Sequence, residues 1–278
     1  MFRNNQATGS IIGNRAYSAP TETYIFNSLI TDNTTNSASL IGSSGRNGGS
    51  QKFFVGMAHT TIVNNHKVGT TQVKGMIRFY NENGNFNAGS IALANNIIMD
   101  DVANNTIALS PGQTGTLIDL YLGNNLYQDS INSYTATNVE IDTANQFYVS
   151  RGDMVQFKDA VNGNFELPKC SFGVGEGEPL VPAAAPSFVI AQKLATTFFN
   201  TASSKDLNNN TRIVNSTDFG CYEDQTPLIG PTMTLGFDGT DLNAATGFAN
   251  YSWKRNGTTI GGANTATYTP TQNGNYEV

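Results

Sequence analysis

A short apolar or β-branched run closed by a polar Asn or Asp pair recurs along the first half of the chain. No other feature limits the fold as much. It stands at Phe2-Arg3-Asn4-Asn5, Leu29-Ile30-Thr31-Asp32-Asn33, Thr61-Ile62-Val63-Asn64-Asn65, Ile97-Ile98-Met99-Asp100-Asp101 and Asn125-Leu126-Tyr127-Gln128-Asp129. The spacing of about 28 to 36 residues falls among the periods of solenoid repeats. Each run supplies a short strand with an apolar inward face, and the Asx pair supplies a corner. One such coil cannot bury its own apolar face, whereas stacked coils share a continuous core. The expected fold is therefore all-β, with a right-handed parallel β-helix over residues 1–226.

Composition points the same way. Charged residues make up 13% of the chain and apolar residues 38%, so polarity must come from elsewhere. Asparagine alone supplies about as many residues as Asp, Glu, Lys and Arg together, and asparagine concentrates in turns and in ladders between stacked strands. The Gly-, Ser- and Asn-rich stretches 42–50, 81–89 and 110–115 read as protruding loops. Met76 to Tyr80 and Leu117 to Leu122 read as further strands. Pro182 and Pro186 interrupt the one helix-like stretch, Leu180 to Leu194, so little helix is expected.

A net charge of −6 without a run of Lys or Arg argues against a nucleic-acid partner. No stretch reaches the roughly 18 to 20 apolar residues of a membrane span. The N-terminus carries no secretion signal, which leads to the expectation of a fragment of something longer or of export arranged elsewhere. Cys170 and Cys221 lie outside any C-x-x-C pair; they form either one disulfide or two buried free thiols.

After Pro227-Leu228-Ile229-Gly230-Pro231 the pattern changes to short strands punctuated by Asp238-Gly239, Asn256-Gly257 and Asn273-Gly274, all strong turn dipeptides. Trp253, the only tryptophan, is expected mid-strand, on the same face as Tyr251, as a plug between two sheets.

The segment from Asp206 to Glu223, which contains Arg212-Ile213-Val214-Asn215 and Asp218-Phe219-Gly220-Cys221-Tyr222-Glu223, resembles the closing motif of the bacterial choice-of-anchor Q proteins. Those are secreted right-handed β-helix proteins of the pectate-lyase-like superfamily. Asn209 stands where that family has Gly, Phe219 where it has Ile, and Cys221 where it has Ala. The resemblance extends over about residues 1–226, through the coils and through Asp159 to Leu167. It implies structural roles for Arg212 and Asp218 in the closing motif. The tail 227–278 is similar to bacterial Ig-like or PKD-like modules on the strength of Tyr251-Ser252-Trp253 and Gly274-Asn275-Tyr276-Glu277-Val278, with Trp253 and Tyr276 as structural residues. The final strand of that module, beside Tyr276 and Val278, is missing, so a further stretch of chain or a neighbouring subunit is expected to complete the sheet.

The superfamily also includes polysaccharide lyases and hydrolases, which use carboxylates, with Ca²⁺ in the lyases and in pairs in the hydrolases. The candidates here are Asp100, Asp101 and Asp159, near Arg151, Asp153 and Lys158. Adjacent residues of a strand point to opposite faces, so Asp100 and Asp101 read first as corner residues. His59 and His66, the only histidines, read as solvent-facing rather than as a metal pair. Arg151-Gly152-Asp153 reads as a turn, and Asp129-Ser130-Ile131 and Asp142-Thr143-Ala144 are similar to O-glycosylation triads. No catalytic residue and no cofactor is assigned, apart from the Ca²⁺ that a lyase would hold. The leading expectation is an extracellular, cell-surface adhesive scaffold. In it Phe53, Phe54, Phe79, Tyr80, Tyr121 and Tyr127 are displayed on loops toward carbohydrate or a cell-surface protein. A polysaccharide lyase or hydrolase and a phage fibre or capsid-decoration protein are the alternatives.

Overall fold

The computed structural model describes residues 1–16, 20–36, 40–45, 53–68, 77–81, 89–99, 107–108, 117–128, 136–141, 146–149, 157–168, 171, 173–185, 187–202, 204–212, 217–225, 235–246 and 250–278. Strand is the dominant secondary structure. The chain divides into two compact units, Met1–Gln225 and Thr226–Val278.

Among the described residues of the first unit every strand pairs in parallel, and four sheets collect them. Sheet 1 joins Phe2–Arg3, Leu29–Thr31, Thr61–Val63, Asn96–Ile98, Asn125–Gln128 and Gln146–Val149. Sheet 2 joins Gln6–Ala7, Thr34–Thr35 and His66–Lys67. Sheet 3 joins Ile12–Ala16, Ile41–Gly45, Ile77–Asn81 and Ile107–Ala108. Sheet 4 joins Thr21–Phe26, Phe53–Ala58, Gly89–Ala94, Leu117–Leu122 and Ala136–Ile141. The first three rounds of chain visit the sheets in the order 1, 2, 3, 4 before returning to sheet 1. Along sheet 1 the paired positions Phe2, Ile30, Ile62, Ile98, Tyr127 and Tyr148 are 28, 32, 36, 29 and 21 residues apart. The repeat is thus real but unequal in length, and the insertions fall between strands.

Register aligns like side chains. Ile25, Met57, Leu93 and Leu122 pair in turn across sheet 4, as do Ile12, Ile41, Ile77 and Ile107 across sheet 3. A continuous interior runs from Ile25 and Ile30 through Phe53, Val55, Met57, Ile62, Ile91 and Leu93 to Leu120 and Tyr127. A one-residue slip would turn the buried row Ile25, Met57, Leu93 and Leu122 outward, so burial fixes the register of sheet 4.

The middle strands of sheets 1 and 4, among them Leu29–Thr31, Thr61–Val63, Asn96–Ile98 and Phe53–Ala58, are buried on both faces, and apolar runs such as Phe53–Ala58 anticipate this. Helix α1 (Val189–Thr201) covers the outer face of sheet 4, packing Ile190, Ala191, Leu194 and Phe198 against Phe54, Ala58, Ala92, Ala94 and Tyr121. Gly56 permits the approach: a Cβ there would meet Leu194 Cδ1, Phe54 Cε1 and Tyr24 Cδ1, each at 3.0 Å. Lys193 fixes the helix flank by pairing with Glu22 and lying 4.3 Å above the Phe54 ring. The prolines expected to break this stretch precede α1 instead, and its apolar i, i+1, i+4, i+5, i+8 positions form one buried stripe. The outer face of sheet 1, with Leu29, Val63, Ile97, Met99 and Leu126, is covered by Phe165, Leu167, Phe219 and Cys221.

These coverings correct several expectations. Phe53, Phe54, Tyr121 and Tyr127 lie within strands and are buried, so they cannot be loop-displayed contacts. Phe79 and Tyr80 belong to a sheet 3 strand. Gly42 to Gly45 form part of a strand rather than of a loop. Stretches 46–50, 82–88 and 110–115 lie outside the described residues.

The second unit holds two antiparallel sheets. Leu235–Phe237 pairs with Leu242–Ala244, which pairs with Thr267–Tyr268; Thr258–Thr259 pairs with Lys254–Arg255, which pairs with Tyr276–Glu277. Trp253 stands just before its strand, fully buried, and donates its indole N–H to the Thr265 carbonyl at 2.8 Å. Its ring lies 5.6 Å from that of Tyr268, which is 5.7 Å from Tyr276.

Candidate functional site

In the first three rounds two corners are built by Asn, Asp or His in the left-handed backbone region, where these residues are tolerated better than other side chains. At the corner after sheet 1 these are Asn4, Asp32 and Asn64, and at the corner before it they are Asn27, His59 and Asn95. The residue that follows in several of them turns inward and forms a ladder. Asn5 donates to Asn33 Oδ1 at 2.8 Å and Asn33 to Asn65 Oδ1 at 2.9 Å; Asn96 donates to Asn125 Oδ1 at 2.8 Å. The same amides also reach main-chain carbonyls, for example Asn65 to Ile30 and Val63 and Asn96 to Met57. Each buried amide thereby holds two or three partners, as a dry interior requires.

A dense polar cluster forms where the C-terminal segment of the first unit crosses the corner before sheet 1. Asn27 donates to the carbonyls of Ala202 and Lys205, Asn95 to that of Glu178, and Asn124 to that of Glu176. The Arg212 guanidinium lies among them. Its Nη1 is 2.9 Å from Glu223 Oε2 and 3.3 Å from Thr217 Oγ1, and its Nη2 donates to Asn27 Oδ1 at 2.9 Å. Glu223 also accepts from the Thr217 hydroxyl and from the Asp218 amide. Asp218 accepts from the amides of Gly175 and Asp224, and Asp206 accepts from those of Asn210 and Glu223. Asn209, which stands where the resembled motif has Gly, has φ +65°, a conformation open to either residue.

His59 is 1% exposed, which corrects the expectation of a solvent-facing ring; His66 is exposed. The Asn95 side-chain nitrogen lies 3.0 Å from His59 Nε2 and the Asp218 carbonyl 3.1 Å from Nδ1, so both ring nitrogens are engaged. A second proton would place a cation beside the guanidinium, whose Nη1 is 2.9 Å from Nδ1. Burial and that charge hold His59 well below its ordinary value of 6.5, and Phe198 covers its face at 4.9 Å. Burial pushes Glu223 up to about 7 against the pull of Arg212, raises Asp218, and takes the free Cys221 thiol to about 12.

None of these groups is open to a substrate: Arg212 is 3%, Asp218 4% and Glu223 5% exposed. What the arrangement can do is fasten one segment across four successive rounds, at Asn27, His59, Asn95 and Asn124. Arg212 Nε and Asn124 Oδ1 have no hydrogen-bond partner among the described residues; the other bonds of the network favour this one packing.

A pH dependence follows from His59. The unfolded ring titrates near 6.5 and the folded ring far lower, so its contribution to stability is fully present above pH 6.5 and is lost as pH falls below it. Replacing it by Asn keeps the left-handed corner. The His59→Asn variant is expected to be less stable than wild type at pH 7.5, by the loss of the ring's contacts. The gap should close by about 1.4 kcal/mol per pH unit below 6.5, measured as urea midpoints at pH 7.5 and pH 5. A gap constant with pH would mean that the ring is charged in the folded chain.

Of the other sequence candidates, Asp159 is an exposed turn residue whose carboxylate accepts from the Asn162 amide and side chain, while Lys158 pairs with Glu166. Asp100, Asp101, Arg151, Asp153 and Cys170 lie outside the described residues, as do the triads 129–131 and 142–144. Among the described residues no group of three or more His, Cys, Asp or Glu is placed to hold a metal ion, and no helix is long and apolar enough to cross a membrane. His59, Asn27 and Asn95 escaped the sequence reading. The signal was their common place one or two positions before each sheet 1 strand, which emerges once the strands are aligned.

Comparison of the chain with protein-family models, with curated proteins and with solved structures gives no match.

Proposed function

We propose that the chain is a non-enzymatic extracellular scaffold on a bacterial surface, whose first unit is a right-handed parallel β-helix of the choice-of-anchor Q type and whose second is an incomplete Ig-like module. The observation that carries this reading is the cluster around Arg212. Arg212, Glu223, Asp218 and Asp206 are turned inward, where they fasten one segment to the corners of the coil and present no accessible catalytic set. Parallel strands joined by crossovers follow one hand almost without exception, which gives the right-handed coil. In-register Asn ladders and aliphatic rows resist bending between neighbouring coils, as a stalk needs. The partner is carbohydrate or a cell-surface protein.

Incubation of the purified chain with polygalacturonate, alginate or host glycans is expected to release neither unsaturated uronates nor new reducing ends, while glycan-coated beads retain the protein. Turnover that disappears in Asp100→Ala or Asp159→Ala would establish the polysaccharide lyase or hydrolase reading instead.

A further inference from the structure

The second unit contains a groove of about 450 Å³ lined by Arg255, Asn256, Thr258, Tyr268, Thr271 and Gln272, within the size range of small-ligand sites. Register explains its composition. Arg255 pairs directly with Thr258 on one side and with Tyr276 on the other, so these three side chains share one face of the sheet. Lys254 pairs with Thr259 and Glu277 on the opposite face; Thr259 also lines the groove, whereas Glu277, the only carboxylate in these strands, does not. Asn256 and Gly257, with φ +48° and +79°, form the tight hairpin that sets Arg255 opposite Thr258.

The groove is also held in shape. Asn256 Oδ1 accepts from the Asn275 amide at 2.9 Å, and the Tyr276 hydroxyl donates to the Gln272 carbonyl at 2.6 Å. Gly274 lies against the Arg255 stem, where a Cβ would come within 2.8 Å of Cγ. Against this fixed frame, the side chains of Arg255, Thr258, Thr271 and Gln272 spend no hydrogen bond or ion pair within the described chain. An unspent guanidinium, hydroxyls, an amide and a tyrosine in one groove match a ligand with many hydroxyls and one anion. Ile260 is the only aliphatic side chain among the lining residues, too little for the pockets that peptide side chains require.

We infer that this groove binds a short acidic oligosaccharide, its carboxylate on Arg255 and its hydroxyls on Thr258, Thr271 and Gln272. The inference rests on the carbohydrate-binding part of the proposed function and makes the second unit a binding module rather than a spacer. The test is titration of the full chain with a trimer of galacturonic acid, followed by calorimetry and by the emission of Trp253, which sits beside Tyr268. Saturable binding is expected, weakened about tenfold to a hundredfold in Arg255→Ala and about tenfold in Gln272→Ala. Unchanged Trp253 emission in the ligand-free variants shows that the unit is still folded.

Three results would overturn the inference: no saturation at millimolar trimer, equal affinity for a neutral maltotriose, or wild-type binding by Arg255→Ala. The last of these would displace the ligand from this groove and leave carbohydrate binding by the chain intact. Cleavage of the trimer would remove the scaffold reading itself.

Discussion

Replacing Arg212 with Ala is expected to destabilise the first unit by about 3 to 5 kcal/mol, because it strands a buried carboxylate rather than merely deleting a contact. Glu223 loses its counter-charge at 2.9 Å while remaining 5% exposed, and Asn27 loses the donor to its Oδ1. Arg212→Lys should recover only part of the loss, since one ammonium cannot reach Glu223 and Asn27 in the forked manner of Nη1 and Nη2. Removing both charges in Arg212→Met with Glu223→Met should cost less than Arg212→Ala alone. Denaturant midpoints measure all three, and limited proteolysis between Asp206 and Glu223 reports whether this segment is the part released. A loss below about 1 kcal/mol for Arg212→Ala would mean that water reaches the cluster, which would also weaken the argument against surface chemistry there.

Trp253→Ala is expected to cost about 3 to 5 kcal/mol, enough to unfold the second unit. Only Trp253 and Ala244 are buried apolar residues among those described there, and a unit of that size has little stability to spare. The indole also satisfies the Thr265 carbonyl and packs against Tyr268, so Trp253→Phe should remain folded with a smaller loss. In a two-dimensional amide spectrum of Trp253→Ala, the resonances of residues 235–278 should collapse to the unfolded range while those of the first unit stay dispersed. Retained dispersion throughout would place the core of the second unit elsewhere.

The sequence was most legible where structure is local and periodic. The Asx pairs at Asn4-Asn5, Asp32-Asn33 and Asn64-Asn65 marked their corners, because the first residue enters the left-handed region and the second joins the ladder one round away. Both properties belong to the residue type and recur at each turn of the chain. In the second unit, the hairpin at Asn256-Gly257 and the importance of Trp253 were equally visible, since a two-residue turn and a lone large aromatic carry their meaning within a few positions.

What covers the sheets was decided by tertiary structure. Phe54 and Tyr121 were expected on display loops; they lie in strands instead, and α1 lying on sheet 4 turns their outer face into interior. His59 looked like a surface residue because its partners Arg212 and Asp218 are 153 and 159 positions away. A repeat announces its own strands and corners, since each copy meets the same local constraints. Contacts between a repeat and a segment that occurs once leave no period to read, and burial by that segment alone determines which polar residues must pair and which become inaccessible to chemistry.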